Sequence, residues 1–327
     1  MKAIVYTKYG SPDVLELKEV EKPTPKENEV LIKVRAASVN PLDWHYLRGK
    51  PLFMRLMGAG LLKPKNKILG VDIAGRVETV GRNVKQLQPG DEVFGGGEFL
   101  GGFAEYVCVS ENKLALKPAN ITFEEAAAVP IAAVTALQGL RDKGQIQQGQ
   151  KVLINGAGGG VGTFAVQIAK SFGAEVTGVC STSKVEIVRS IGADRVIDYT
   201  QEDFTKNGQR YNLIIDAAAY RSILDQKRAL SPKGIYVMVG GSMARMFQVL
   251  FLRPWISMTG SKKIGLMLAN INKKDLVFMK ELLEAGKVVP VIDRRYPLSE
   301  VAEAIRYLEE GHARGKVIIT FERNNKT

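Results

Sequence analysis

The strand-like run Lys151-Val152-Leu153-Ile154-Asn155 passes directly into Gly156-Ala157-Gly158-Gly159-Gly160-Val161-Gly162, and Thr163 to Phe172 then reads as a helix. A buried strand, a glycine turn and a helix N-terminus bring backbone N–H groups and the positive end of a helix dipole against a phosphate. That is dinucleotide chemistry, and Gly158, Gly159, Gly160, Val161 and Gly162 are the expected contacts. Counted from Gly156, the sixth residue is Val161, so the strict pattern of glycines at first, third and sixth positions is not met. A glycine-rich run by itself also suits a tight turn; its place between a buried strand and a helix favours the binding site.

At the end of the next strand, Glu175 to Val179, an acid would bind the free ribose hydroxyls of NAD and repel a 2′-phosphate. The chain has Cys180-Ser181-Thr182-Ser183-Lys184 there. Hydroxyl donors and an ammonium suit a dianionic phosphate through charge-assisted hydrogen bonds. Ser181, Ser183 and Lys184 therefore point to NADPH. The same hydroxyls also suit a plain helix cap before Val185, and Lys184 alone suits a solvated surface charge. Further on, a strand closing in Val239-Gly240-Gly241 would let backbone approach the nicotinamide carboxamide closely, because no Cβ intervenes.

A second polar set lies in Val39-Asn40-Pro41-Leu42-Asp43-Trp44-His45-Tyr46. Tyr46 offers a hydroxyl that could donate a proton or orient an acceptor, and its ordinary pKa near 10 makes it a poised donor rather than a strong acid. Solvent is an equal candidate for that proton. Asn40-Pro41 also reads as an ordinary turn.

The elements that must position these residues fall into three stretches. From Met1 to about Ile121, short strands alternate with Gly and Pro turns, an all-β rhythm. From 122 to 270, short apolar strands alternate with helical segments, which argues a parallel sheet covered on both faces. The tail, 271–327, adds two helices and two strands and returns to the first domain, making that domain discontinuous. The expectation is an α/β protein: 1–121 with 271–327, and a doubly wound Rossmann domain at 122–270.

The chain has 327 residues, 45% hydrophobic and 24% charged, with a formal net charge of +12. That composition is globular, not disordered or fibrous, and the length suits two domains. No apolar stretch is long enough for a membrane span, and the start reads as a strand rather than an export signal. With only Cys108 and Cys180, both in strand-like runs, no disulfide framework is indicated, so the expected home is the cytoplasm. The positive charge favours anionic partners. A phosphorylated cofactor absorbs part of it, no nucleic-acid partner is expected, and peripheral membrane contact stays open.

The stretch Gly149-Gln150, Leu153, Gly156 to Gly160, Gly162, Gln167 and Lys170 resembles the fingerprint of the zinc-free quinone oxidoreductase (zeta-crystallin-like) group of the medium-chain dehydrogenase/reductase superfamily. The likeness continues through Gly70 to Val77, Pro89 to Val93, Gly102 to Tyr106 and Gly192-Ala193-Asp194. It implies a GroES-like β-barrel domain beside the Rossmann domain, with hydride transfer from NADPH to a quinone or enone in a cleft between them. It implies that Asn40 holds a nicotinamide-ribose hydroxyl, that Asp43 organises its loop or relays a proton, that Thr135 touches the nicotinamide and that Tyr199 lies near the adenosine phosphate. Zinc-dependent relatives have a Cys where this chain has Asn40, a His-Glu pair at Val71-Asp72, a further ligand at Ile131 and often a four-Cys lobe. No metal is therefore expected, and conjugated acceptors, which delocalise the arriving charge without a Lewis acid, fit best. The expected assembly is a homodimer. Lys50 to Lys67 and Ser242 to Asn270, with Met243, Met246, Phe247, Phe251 and Trp255, are either an adaptable apolar substrate wall or a core helix and dimer surface. Two rivals remain: a cofactor-binding sensor or nucleic-acid binder on the same scaffold, and a zinc alcohol dehydrogenase with unusual ligands.

Overall fold

The computed structural model describes residues 1–52, 55, 59–96, 101–241, 243–258 and 261–321, the side chains of Met243 and of 252–258 excepted. Two compact units result: Met1–Ile131 with Ile271–Ala285 and Pro290–Thr327, and Ala132–Asn270 with Gly286–Val289.

The first unit opens with the antiparallel ribbon β1 (Lys2–Val5) and β2 (Glu16–Glu19). Then come β3 (Glu29–Val39), helix α1 (Pro41–Arg48), β4 (Asp72–Val80), β5 (Glu92–Gly96), β6 (Tyr106–Ser110), β7 (Leu114–Leu116) and α2 (Phe123–Ala127). In β3 the buried Val30, Ile32, Val34 and Ala36 alternate with partly exposed Glu29, Lys33 and Arg35, as a strand with one covered face requires. β3 pairs with β4 along its length, with two register shifts that bend and twist it. Pro41 starts α1 with its φ preset and no N–H to waste, and Gly49 ends it in the left-handed region at φ +56°. Thr122 and Glu125 cap α2 reciprocally. That helix packs on β3 and β4, which carries the first unit beyond the boundary expected near Ile121.

The second unit begins within α3 (Pro130–Gln138) and continues with β8 (Lys151–Asn155), α4 (Gly160–Ser171), β9 (Glu175–Cys180), α5 (Val185–Ser190), β10 (Arg195–Asp198), β11 (Tyr211–Asp216), α6 (Ile223–Ala229), β12 (Leu230–Met238), α7 (Met243–Met258) and β13 (Lys263–Leu266). Its sheet is parallel throughout, in the order β10-β9-β8-β11-β12-β13. Numbered from β8 this is 3-2-1-4-5-6, the doubly wound Rossmann arrangement, whose order reverses between β8 and β11. Leu153, Ile154, Ile214, Ile215 and Val237 are fully buried, which explains why these strands are apolar on consecutive residues. Each such side chain stabilises the fold by roughly 1.5–3 kcal/mol relative to exposure.

After α8 (Lys273–Glu284) the chain supplies β14 (Ile292–Pro297), α9 (Val301–Glu309) and β15 (Lys316–Thr320). These complete the first unit's mostly antiparallel sheet, ordered β14-β15-β3-β4-β5-β7, with β6 also on β3. One edge of β3 is thereby shared: residues 29–33 pair with β6 and residues 36–39 with β15. Among the described residues no helix is long and apolar enough to cross a membrane.

Candidate active site

In the second unit, β8 ends at Asn155 and the chain turns at Gly156, whose φ of +84° suits glycine. The N–H groups of Gly156 and Ala157 both donate to the Val179 carbonyl, tying the loop to β9. Gly159 caps α4, which starts at Gly160, so Gly160, Val161 and Gly162 form a first helical turn whose N–H groups lack intrahelical acceptors. A Cβ on Gly162 would run into the Gly156 carbonyl, so this glycine lets helix and loop touch. At Gly158 an added Cβ would lie 2.7 Å from Lys184 Cβ: the Lys184 side chain lies against the loop. Cradle and cation are thus joined, although 26 positions (184 minus 158) separate them.

Ser181 follows β9, with its Oγ 3.4 Å from Ser183 Oγ. The exposed Tyr199 follows β10, and its N–H donates to the Cys180 carbonyl at 3.0 Å, which sets it beside Ser181. The sequence reading missed Asp198. It pairs in register with Cys180 and brings an acid to this edge from the neighbouring strand. Thr182 Oγ1 donates to it at 2.6 Å, and Thr200 donates through N–H and Oγ1 at 3.0 and 2.8 Å. The Thr182 hydroxyl, followed by the Thr200 donors, holds this carboxyl below its usual range. Its charge is therefore engaged locally and faces solvent.

At the switch point a buried network ties three strand ends together. Asp216 Oδ1 accepts from Asn155 Nδ2 at 2.8 Å and Ala219 N–H at 2.6 Å; Oδ2 accepts from Gln226 Nε2 and Tyr236 Oη, both at 2.9 Å. Val239 and Gly240 donate their N–H groups to the Asp216 carbonyl at 2.9 and 3.3 Å. A Cβ on Gly240 would come within 2.9 Å of the Ala217 carbonyl, and Gly241 has φ +116°. Polar residues closing apolar strands, here Asn155 and Asp216, were the signal available in the sequence. Thr135 is buried on α3.

In the first unit a second network surrounds the start of α1. Asp43 is fully buried; its Oδ2 accepts from Asn40 N–H at 2.8 Å and its Oδ1 from Gly70 N–H at 2.9 Å. Burial pushes its carboxyl up to about 7 against the pull of those two donors. Asn40 Nδ2 donates to the Ser38 carbonyl at 3.1 Å and to Asp72 Oδ2 at 3.0 Å, while Asn40 Oδ1 accepts from Lys316 Nζ at 2.5 Å. Asp72 also takes the Ser38 hydroxyl at 2.8 Å and the Ile131 N–H at 2.9 Å, with Lys316 Nζ 3.5 Å away. Burial raises the Asp72 carboxyl and lowers the Lys316 ammonium, each opposed by the other's charge. Tyr46 and His45 are partly buried on α1. Burial raises the Tyr46 hydroxyl, and it lowers the His45 imidazole, whose Nδ1 lies 3.0 Å from the Lys50 carbonyl. Nothing in the sequence singled out Lys316.

Residues 53, 54, 56–58, 242, 259 and 260 of the two variable segments lie outside the described residues, as do the side chains of Met243 and Trp255. On α7, Val249 belongs to the core and Met246 packs against it. Phe247, Leu250 and Phe251 are exposed.

A glycine turn leading from β8 into α4 at the switch point of a doubly wound sheet is the arrangement of a dinucleotide-binding protein. Residues 26–119 match the alcohol dehydrogenase GroES-like domain family and residues 191–319 the zinc-binding dehydrogenase family. A tomato (Solanum lycopersicum) 2-methylene-furan-3-one reductase is 39% identical over 98% of this chain and 79% of its own length. The chloroplastic NADPH-dependent alkenal/one oxidoreductase of Arabidopsis thaliana is 37% identical with the same coverage. The solved quinone oxidoreductase of Coxiella burnetii superposes with a TM-score of 0.88 at 31% identity, over 98% of this chain and 99% of that one. The chain belongs to the medium-chain dehydrogenase/reductase superfamily, in its quinone oxidoreductase group.

Proposed function

We propose that the chain is an NADPH-dependent reductase of quinones or α,β-unsaturated carbonyls that works without zinc. The observation that carries this reading is the packing of the Lys184 side chain on Gly158, with Ser181 and Ser183 in the same short segment after β9. The names of the tomato and Arabidopsis relatives describe conjugated carbonyl substrates and NADPH. Gly158 to Gly162 hold the pyrophosphate; Ser181, Ser183, Lys184 and Tyr199 hold the 2′-phosphate; Thr135, Val239, Gly240 and Gly241 hold the nicotinamide.

The residues do not fit a zinc ion, despite the name of the matched family. Asp72 accepts from Asn40 Nδ2 and the Ile131 N–H, and the buried Lys316 ammonium donates to Asn40 Oδ1 and to Asp72 and would repel a second cation at contact distance. NADPH, when bound, supplies a hydride from the nicotinamide. The chain's own part is to orient that ring and exclude water. Asn40 has spent both amide protons, which leaves a lone pair on Oδ1 for a ribose hydroxyl. Asp43 fixes the loop to Gly70. Tyr46, kept protonated by burial, donates a hydrogen bond to the acceptor oxygen, and it or water returns the proton as the enolate or quinolate forms.

The reading includes a cytoplasmic home, supported by two unpaired cysteines, and a homodimer, supported by the exposed apolar side chains on α7; light scattering checks the latter. The test of function is steady NADPH oxidation with a panel of small enones and quinones. Turnover that a chelator leaves unchanged is expected. No turnover, with salt-sensitive RNA binding, would establish the rival reading.

A further inference from the structure

We infer that Lys316 is the positioning residue of the Asn40–Tyr46 segment, its buried ammonium locking the Asn40 carboxamide in one orientation. The inference rests on the proposed function only for its catalytic consequence; the geometry stands by itself.

A carboxamide has two chemically different ends, and at Asn40 the surroundings distinguish them completely. Its NH2 group faces two acceptors, the Ser38 carbonyl and Asp72 Oδ2, and its oxygen faces a donor, Lys316 Nζ. Turning the group over would set N–H against ammonium and oxygen against carboxylate. Asn40 is also the residue from which α1 springs, and its N–H is held by Asp43. Fixing its side chain fixes the first turn of the helix that carries Trp44, His45 and Tyr46.

Lys316 reaches this place through sheet pairing. β15 runs antiparallel to β3 with Val317 opposite Val39, so Lys316 meets the residue immediately after β3. Its side chain is 3% exposed. Burying an ammonium is unfavourable, and a buried ion pair is weak evidence for stability; its best-attested use is to specify one geometry among several. The carboxylate beside it, Asp72, is shared with Ser38, Asn40 and Ile131, so removing Lys316 alone would strand a buried charge and endanger the fold. The informative variant therefore neutralises both groups: Lys316→Met with Asp72→Asn, beside Lys316→Met alone.

Two readouts apply to the full-length chain. The first is amide hydrogen exchange without cofactor. The double variant should keep a melting temperature near that of the unaltered protein and lose protection at least tenfold in peptides spanning 40–48, while peptides spanning 156–162 stay unchanged. The second is turnover per NADPH-binding site: kcat should fall at least tenfold, a larger change than the NADPH dissociation constant shows. Unchanged protection in 40–48 in a folded double variant overturns the inference, and so does unchanged kcat. Absence of turnover in the unaltered protein would instead remove the proposed function, leaving the exchange measurement to decide the role of Lys316.

Discussion

The two polar networks are built on opposite plans. Around Gly156 to Gly162 the groups are backbone N–H groups at a helix start and the hydroxyls that follow β9, in a loop tied to the Val179 carbonyl and packed on Lys184. Around Asn40 they are side chains that satisfy one another, 0 to 3% exposed, and brought together from β3, β4 and β15. On the proposed reading, the first region receives charge and the second holds a segment still. Changes in the first should therefore show in affinity, and changes in the second in the order of the 40–48 segment and in pH response.

The largest expected effect is at Gly162. A Gly162→Val substitution forces the loop off α4, since even a Cβ meets the Gly156 carbonyl. Losing two charge-assisted bonds to phosphate, each about 1.5–3 kcal/mol, should weaken NADPH about 100-fold or more, as a fluorescence titration would read. The same titration with Asn40→Ala should move less, by the one ribose hydrogen bond proposed for its Oδ1, about 0.5–1.5 kcal/mol.

Next comes the switch-point network. Tyr236→Phe removes one donor from the buried Asp216 carboxylate, a loss of about 1.5–3 kcal/mol for a bond to a charged group. A lower urea midpoint at unchanged slope would show it. An unchanged midpoint would mean that the clamp on Asn155 and Gln226 suffices.

A smaller effect is the pH response of the second region. Burial raises Asp43 from 3.8 to about 7, so between about pH 4 and 7 the folded chain holds a proton that the unfolded chain releases. Stability should fall as pH rises through that window, by at most about 1.4 kcal/mol per pH unit for one proton. Buried Asp72 acts in the same direction. Asp43→Asn should flatten the slope; an unaltered slope would assign it to other groups. Smallest is the Arg48–Glu309 pair, bonded at 2.6 and 2.8 Å: at a partly exposed site, Glu309→Gln should remove no more than about 1 kcal/mol.

What could be read in the sequence follows the same division. The Rossmann strands were legible because both faces are covered and the residues are apolar in unbroken runs. The glycine loop was legible because its glycines lie close together between a strand and a helix. α4 starts at Gly160 rather than Thr163 because a first helical turn needs no apolar pattern. β2 gave no signal because Glu16 to Glu19 are exposed throughout, and β13 is four residues long with a central glycine. Lys316 was illegible for a different reason: its partners Asn40 and Asp72 lie 276 and 244 positions away, and only the pairing of β15 with β3 brings them together. Asp198 escaped because the acid was sought on its own strand, whereas parallel pairing delivers it from the next one.

That acid makes the cofactor preference the point to test. Calorimetric titration of the protein with NADPH and with NADH reads it directly. The account predicts that NADPH binds at least about tenfold more tightly, the value of one charge-assisted bond to the 2′-phosphate, and that Lys184→Glu abolishes the difference. Equal or tighter binding of NADH by the unaltered protein would contradict it.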